Sequence, residues 1–168
     1  MANTFAAIAT VTVGSGGAAD IEFTSIPGTY TDLAVKISGR GNASALYESF
    51  KVNLNGSTAN WTARGVFGLG NSTSSETNGN PAFVSGSTAT ANTFSSVDIY
   101  IPNYTSSNNK SVSVDSVTES NTANGVLAYL AAGLYSNTSV VTSITFTFQS
   151  ANSFVQYTTA TLYGIKKD

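Results

Sequence analysis

The chain has 168 residues with no cysteine and no histidine, a formal net charge of −2, and only 10% of its residues charged. A domain of this length buries a sizeable core without staples, and so low a charge excludes both charge-driven disorder and a charge-laced helical bundle. Zinc sites with His or Cys ligands, thiol nucleophiles and histidine triads are excluded outright, as is the usual general base near neutral pH.

Read in chain order, apolar residues alternate with polar ones at period two, the signature of half-buried strands. Phe5 to Val13 opens the chain as a strand. Ile21 and Phe23 point one way, Asp20 and Glu22 the other. Ser25 to Tyr30 is a turn around Pro27-Gly28, which supply a fixed and a permissive φ. Leu33, Val35 and Ile37 alternate with Ala34 and Lys36, and Phe50, Val52 and Leu54 with Lys51 and Asn53. Asn55-Gly56 follows as a strong turn signal. Trp61 to Leu69 reads as a strand and Asn71 to Pro81 as a polar surface loop.

Val97, Ile99 and Ile101 make the clearest strand, closed by Pro102, and Thr105 to Asn109 a loop. Val112, Val114 and Val117 predict a strand with a bulge between the last two, where the spacing slips by one. Gly125 to Tyr135 is rich in Leu and Ala. Its turn residues at both ends favour a strand buried on both faces over a helix. Ile144, Phe146 and Phe148 form a further strand, and Phe154 to Ile165 the last. Nine or ten short strands without repeat or linker predict an all-β protein. Residues 1–168 are read as a single antiparallel sandwich, jelly-roll-like, with long loops at 39–49 and 69–82 allowing Greek-key crossings.

Candidate chemistry is sparse. Asp20 and Glu22 are two apart on one strand, about 7 Å between like-facing side chains, a spacing that a glycosidase acid and base can use. The alternation turns both to solvent, away from any groove that would split their pKa values. Asp98, Asp115 and Glu119 lie in no calcium-loop pattern. The glycine runs at Gly14 and Gly65 lack the following helix and Lys-Ser/Thr of a phosphate loop. Asn-x-Ser/Thr triplets, such as those at Asn55 and Asn60, follow from composition. No metal or cofactor is expected.

Arg40 and Arg64 are the only arginines. Each is read either as a partner of Glu48 or Asp32 or as an anchor for a neighbouring subunit. Tyr47, Trp61, Phe67 and Tyr104 fall in or beside loops, where an aromatic either stacks on sugar or lids the core. The candidate interface or glycan contacts are therefore Arg40, Tyr47, Trp61, Arg64 and Tyr104.

Four segments carry a resemblance: Phe23-Thr-Ser-Ile-Pro-Gly-Thr-Tyr-Thr-Asp-Leu33, Val52-Asn-Leu-Asn-Gly56, Ile99-Tyr-Ile-Pro-Asn-Tyr104 and Ala160-Thr-Leu-Tyr-Gly-Ile165. Together they resemble small virion structural proteins of tailed bacteriophages, including phages of cyanobacteria. A related pattern closes the C-terminal domains of some tail-fibre proteins. The resemblance implies a β-sandwich on the particle surface, often trimeric, and brings no catalytic residue with it.

The expected function is that of a capsid decoration or cement protein, not an enzyme, bound to the major capsid protein and to copies of itself as a homotrimer. Low charge lets such copies pack with little mutual repulsion. The alternatives are a tail-fibre or receptor-binding module for host cell-surface glycan and, behind it, a carboxylate-dependent glycosidase. The chain opens directly on a strand with no shaft before it, which favours decoration over a fibre tip. Scattered basic residues give no footprint for nucleic acid, and no apolar run nears the ~20 residues of a membrane helix. The start, Met1-Ala-Asn-Thr-Phe5, lacks the basic and apolar regions of a secretory leader. The expected location is the virion surface after synthesis in the host cytoplasm.

Overall fold

The alternating segments do form strands. A computed structural model describes residues 4–77, 81–121 and 127–166, and none of these is helical. In chain order the strands are β1 (Phe5–Thr12), β2 (Asp20–Phe23), β3 (Asp32–Gly39), β4 (Tyr47–Leu54), β5 (Trp61–Leu69) and β6 (Ser72–Glu76). There follow β7 (Pro81–Ser85), β8 (Ser95–Ile101), β9 (Lys110–Thr118), β10 (Leu127–Tyr135), β11 (Ile144–Phe148) and β12 (Thr159–Ile165). All pairings between them are antiparallel.

The strands make two sheets, one of eight in the order β1-β12-β3-β8-β9-β10-β5-β6 and one of four in the order β2-β11-β4-β7. Removing β5, β6, β9 and β10 leaves β1-β12-β3-β8 facing β2-β11-β4-β7. The chain crosses between these sheets at each step except β4 to β7. That is jelly-roll topology, two Greek keys wrapped into a sandwich. The other four strands are two excursions, one between β4 and β7 and the other between β8 and β11. They meet where β10 pairs β5 along its whole length, from Leu127 opposite Leu69 to Tyr135 opposite Trp61. The large sheet is thereby extended by four strands beyond the jelly roll.

The core lies between the sheets. Leu33, Val35 and Ile37 of β3 and Val97, Ile99 and Ile101 of β8 face Ile21, Phe50, Val52, Leu54, Ile144 and Phe146 of the small sheet, all of them buried. Phe50 sits edge-on to Phe146, Phe148 and Phe154 at centroid distances of 5.8, 6.2 and 5.6 Å, the geometry aromatic rings prefer. One contiguous cluster runs from Val13 to Leu162.

The asparagine content has a structural use. Of the seven described non-glycine residues with positive φ, five are asparagines: Asn55, Asn60, Asn92, Asn103 and Asn121. Asparagine tolerates the left-handed region better than most residues, so it turns the chain where glycine would otherwise be needed. At Asn55-Gly56 both φ values are positive, 53° and 67°. The Asn55 side chain also donates to Val140 O at 2.8 Å and accepts from Thr142 N at 2.8 Å, tying down the loop before β11.

Several expectations need correction. The stretch expected as a surface loop from Asn71 to Pro81 contains β6 and reaches the start of β7; residues 78–80 within it lie outside those described. The predicted bulge between Val114 and Val117 is absent. Alternation runs unbroken through β9, with Ser116 buried and Val117 facing out, because the Ser116 hydroxyl accepts from Phe83 N at 3.2 Å. A register shift occurs instead in β1, between Ala7 and Ala9. Strand β10 is buried on one face, not two. The turn Asn124-Gly125 and Val126 expected before it lie outside the described residues. The last strand begins at Thr159; Phe154, further upstream, bridges Ala18 and Gly41 as an isolated residue.

Candidate interaction surface

The extension has two faces of different character. Its inner face is covered in part by the small sheet: Phe83 of β7 meets Tyr129 of β10 edge-on at 4.9 Å. Its outer face is covered by nothing among the described residues, yet its centre is apolar. Val66 is 57% exposed, Leu130 52%, Val117 45% and Leu134 40%, with Ala128 and Ala132 exposed between them.

Cross-strand register builds this face in rows. Ser75, Val66, Leu130 and Asp115 stand abreast on β6, β5, β10 and β9. On one side, Arg64, Ala132 and Ser113 form the next row; on the other, Thr73, Gly68, Ala128 and Val117 do. Rows on one face of a strand are about 7 Å apart. Val66 and Leu130 stand at the middle of the face, with the small residues Ala132 on one side and Gly68 and Ala128 on the other, so they rise between two depressions. The one over Gly68, Thr73 and Ala128 has a volume of about 600 Å³. The other, over Arg64 and Ala132, has about 360 Å³.

Two charges flank the ridge. The Arg64 guanidinium donates to Ala63 O at 2.9 Å and forms no ion pair among the described residues. Asp115 forms none either, and it stands directly across from Asp98 of β8. Like charges facing across strands repel. Lys36 of β3 pairs with Asp98, which leaves Asp115 as the uncompensated member.

The other residues singled out from the sequence are dispersed. Arg40 is 8% exposed, and its guanidinium is surrounded by backbone oxygens of the 86–94 loop: Thr90 and Thr93 at 2.8 Å, Ala89 at 3.0 Å and Ser87 at 3.2 Å. Tyr104 is fully buried, its hydroxyl donating to Pro27 O, and burial pushes its pKa up. Tyr47 stacks edge-on against Phe83 at 5.9 Å. Trp61 lies against Tyr135 at 5.1 Å. Phe67 is half-buried on the inner side of β5. Of the five candidate contacts, Arg64 alone lies on the uncovered face.

The suggested arginine partners are engaged elsewhere. Asp32 accepts from Tyr100 Oη and Asn103 N, both at 2.8 Å, and Glu48 from Ala43 N at 3.3 Å and from Asn152 Nδ2. Asp20 and Glu22 face solvent on β2, as their alternation with Ile21 and Phe23 implies. Among the described residues no three Asp, Glu, His or Cys side chains cluster as a metal site would require, and no helix is long and apolar enough to cross a membrane.

Sequence reasoning misses Val66 and Leu130, turns Val117 inward through a bulge, and weighs Asp115 only as an oxygen ligand for calcium. The signal was present in the unbroken apolar run of β10, but periodicity alone does not tell whether an apolar face is covered by its own chain or by another. In comparisons with known proteins, the chain matches no family model, no curated protein and no solved structure.

Proposed function

We propose that the protein is a structural component of a phage virion, a capsid decoration protein that binds the shell and does no chemistry. The observation that carries this reading is the uncovered apolar sheet face. Monomeric soluble proteins rarely leave a large contiguous apolar patch exposed, and such a patch marks an assembly surface. The jelly roll, a fold used by viral capsid domains and also by lectins, is compatible with the reading; a fold by itself assigns no function. The resemblance of the Phe23–Leu33, Val52–Gly56, Ile99–Tyr104 and Ala160–Ile165 segments to small virion proteins gives the same direction.

On the shell, copies would meet the major capsid protein and one another as homotrimers, each contact modest and the array supplying avidity. The free edges β1 and β6 of the large sheet carry almost no charge to guard them, and pairing with another chain would satisfy them.

One observation favours a second reading, a receptor-binding module for host glycan. A groove of about 350 Å³ is lined by Arg40, Asn92, Phe94, Gln156 and Tyr157, and the Tyr157 ring is 68% exposed. An exposed aromatic beside amide side chains suits stacking on a sugar ring.

Imaging particles made with and without the protein, together with their heat stability, tests both. Density at capsid symmetry axes and earlier rupture in its absence are expected. Density at the tail tip alone, with lost adsorption to host cells, replaces decoration with receptor binding.

A further inference from the structure

The uncovered face carries its own instructions about what covers it. Arg64 and Asp115 lie on opposite sides of Leu130, on β5 and β9, and one row apart along the strands. Each lacks an ion-pair partner among the described residues. An axis in the plane of the face, midway between the two and perpendicular to the line joining them, exchanges their positions. A second copy placed by that axis sets its Asp115 over this Arg64 and its Arg64 over this Asp115.

We propose that two copies of the chain pair face to face through β5, β9 and β10 about a two-fold axis, closed by two reciprocal Arg64–Asp115 ion pairs around a centre of Val66 and Leu130. This rests on the reading above only in taking the face to be an assembly surface.

Three observations converge on this occupant. The charges are self-complementary, as an isologous interface requires. The partner's arginine supplies the cation that Asp115 lacks beside Asp98. The apolar residues coincide too: the same operation brings Val66 and Leu130 of one copy over the apolar centre of the other, beside its small residues Ala128 and Ala132. Apolar residues then fill the centre and Ser75, Ser113 and Thr73 the rim, the usual anatomy of an interface. The pairing uses a sheet face and leaves the strand edges free, so it coexists with edge-mediated trimers on a shell.

Sedimentation of the purified chain over a wide concentration range tests the pairing without any particle, so its outcome is separate from that of the decoration reading. Self-association is expected, weakened about tenfold or more in Arg64→Asp and in Asp115→Arg, because each change faces like charges across the interface. The double variant Arg64→Asp with Asp115→Arg regains the association. Leu130→Ser weakens it as well, and circular dichroism of every variant stays that of the parent. A chain that remains monomeric at all concentrations overturns the proposal. So does self-association indifferent to both single charge changes, or a double variant no better than the singles.

Discussion

The ring of Tyr129 lies across Gly65. Both face inward, on neighbouring strands β10 and β5, and a Cβ at position 65 would collide with the tyrosine hydroxyl. The glycine lets Tyr129 reach towards Glu76 on the edge strand β6, where burial first and then the adjacent carboxylate push its pKa well above the usual tyrosine value. Gly65 thus joins the two excursions through a side chain as well as through the backbone ladder. Gly65→Ala is expected to displace the ring and to cost about 1–3 kcal/mol, the usual penalty for overpacking. Thermal unfolding reads this as a fall of roughly 2–4 °C per kcal/mol for a chain of this size. A melting temperature equal to the parent's would mean that Tyr129 has another place to go.

Arg40 organises a loop from within. Its guanidinium donates to the backbone oxygens of Ser87, Ala89, Thr90 and Thr93, so its removal leaves those of Ser87, Ala89 and Thr93 without a donor among the described residues, while Thr90 O keeps its bonds from Thr93. Arg40→Met retains the apolar stem and loses the donors. The expected cost is about 3 kcal/mol or more, since hydrogen bonds to charged groups contribute about 1.5–3 kcal/mol each and lost partners add desolvation. Arg40→Lys recovers only part of this, because an ammonium cannot span the positions a planar fork reaches. Urea unfolding measures the cost, and amide exchange over 86–94 localises it. Unchanged exchange in Arg40→Met would show that the loop holds itself.

How much was legible follows from what each residue reveals locally. The strand Val97-Asp-Ile-Tyr-Ile101 announces its inner face, because every second residue is large and apolar. Strand β6, Ser72–Glu76, announces nothing: it has no apolar face, and its place comes from the ladder offered by β5. Val117 misleads for a physical reason. Its apolar side chain predicts an inward position, which a bulge would supply; in the structure Ser116 points inward and Val117 belongs to the uncovered face. Arg40 finds its acceptors about fifty residues downstream, a relationship that no local pattern encodes. The jelly-roll order is legible only in outline, since the pairing of β10 with β5 depends on two excursions meeting in space.

Tyr157 holds a left-handed backbone, φ 72°, with its ring 68% exposed. For a bulky side chain this conformation is a genuine outlier and costs on the order of 1 kcal/mol. Its amide donates to Val13 O at 3.0 Å, a bond that does not depend on the side chain. Tyr157→Asn keeps that bond, suits the left-handed region and gives up little buried area. The expected gain is about 1 kcal/mol, or roughly 2–4 °C in Tm. A lower Tm in this variant would show that the ring contributes more by contact with its groove than its backbone costs. If Tyr157 serves the glycan reading, the same variant separates strain kept for binding from strain without use: sugar binding falls while stability rises.

Glu48 supplies a pH-dependent contribution whose sign is set by burial. It is 8% exposed beneath the loop at Gly41. Desolvation raises its pKa above the ordinary 4.5, against the lowering effect of the bonds from Asn152 and Ala43. The folded state therefore holds the proton more tightly than the unfolded chain does. The favourable contribution is fully present below the unfolded value and is lost as pH rises through the higher folded value, because stability falls with pH wherever the native state binds more protons. Glu48→Gln is neutral throughout and retains a carbonyl for the Asn152 amide, giving up the longer bond from Ala43. Other carboxylates titrate in the same range in both proteins, so the informative quantity is the difference in Tm between variant and parent. It is expected to move in the variant's favour from pH 4 to pH 7. A difference that is flat across this range, or that moves towards the parent, would mean that the two hydrogen bonds outweigh the burial of the carboxylate.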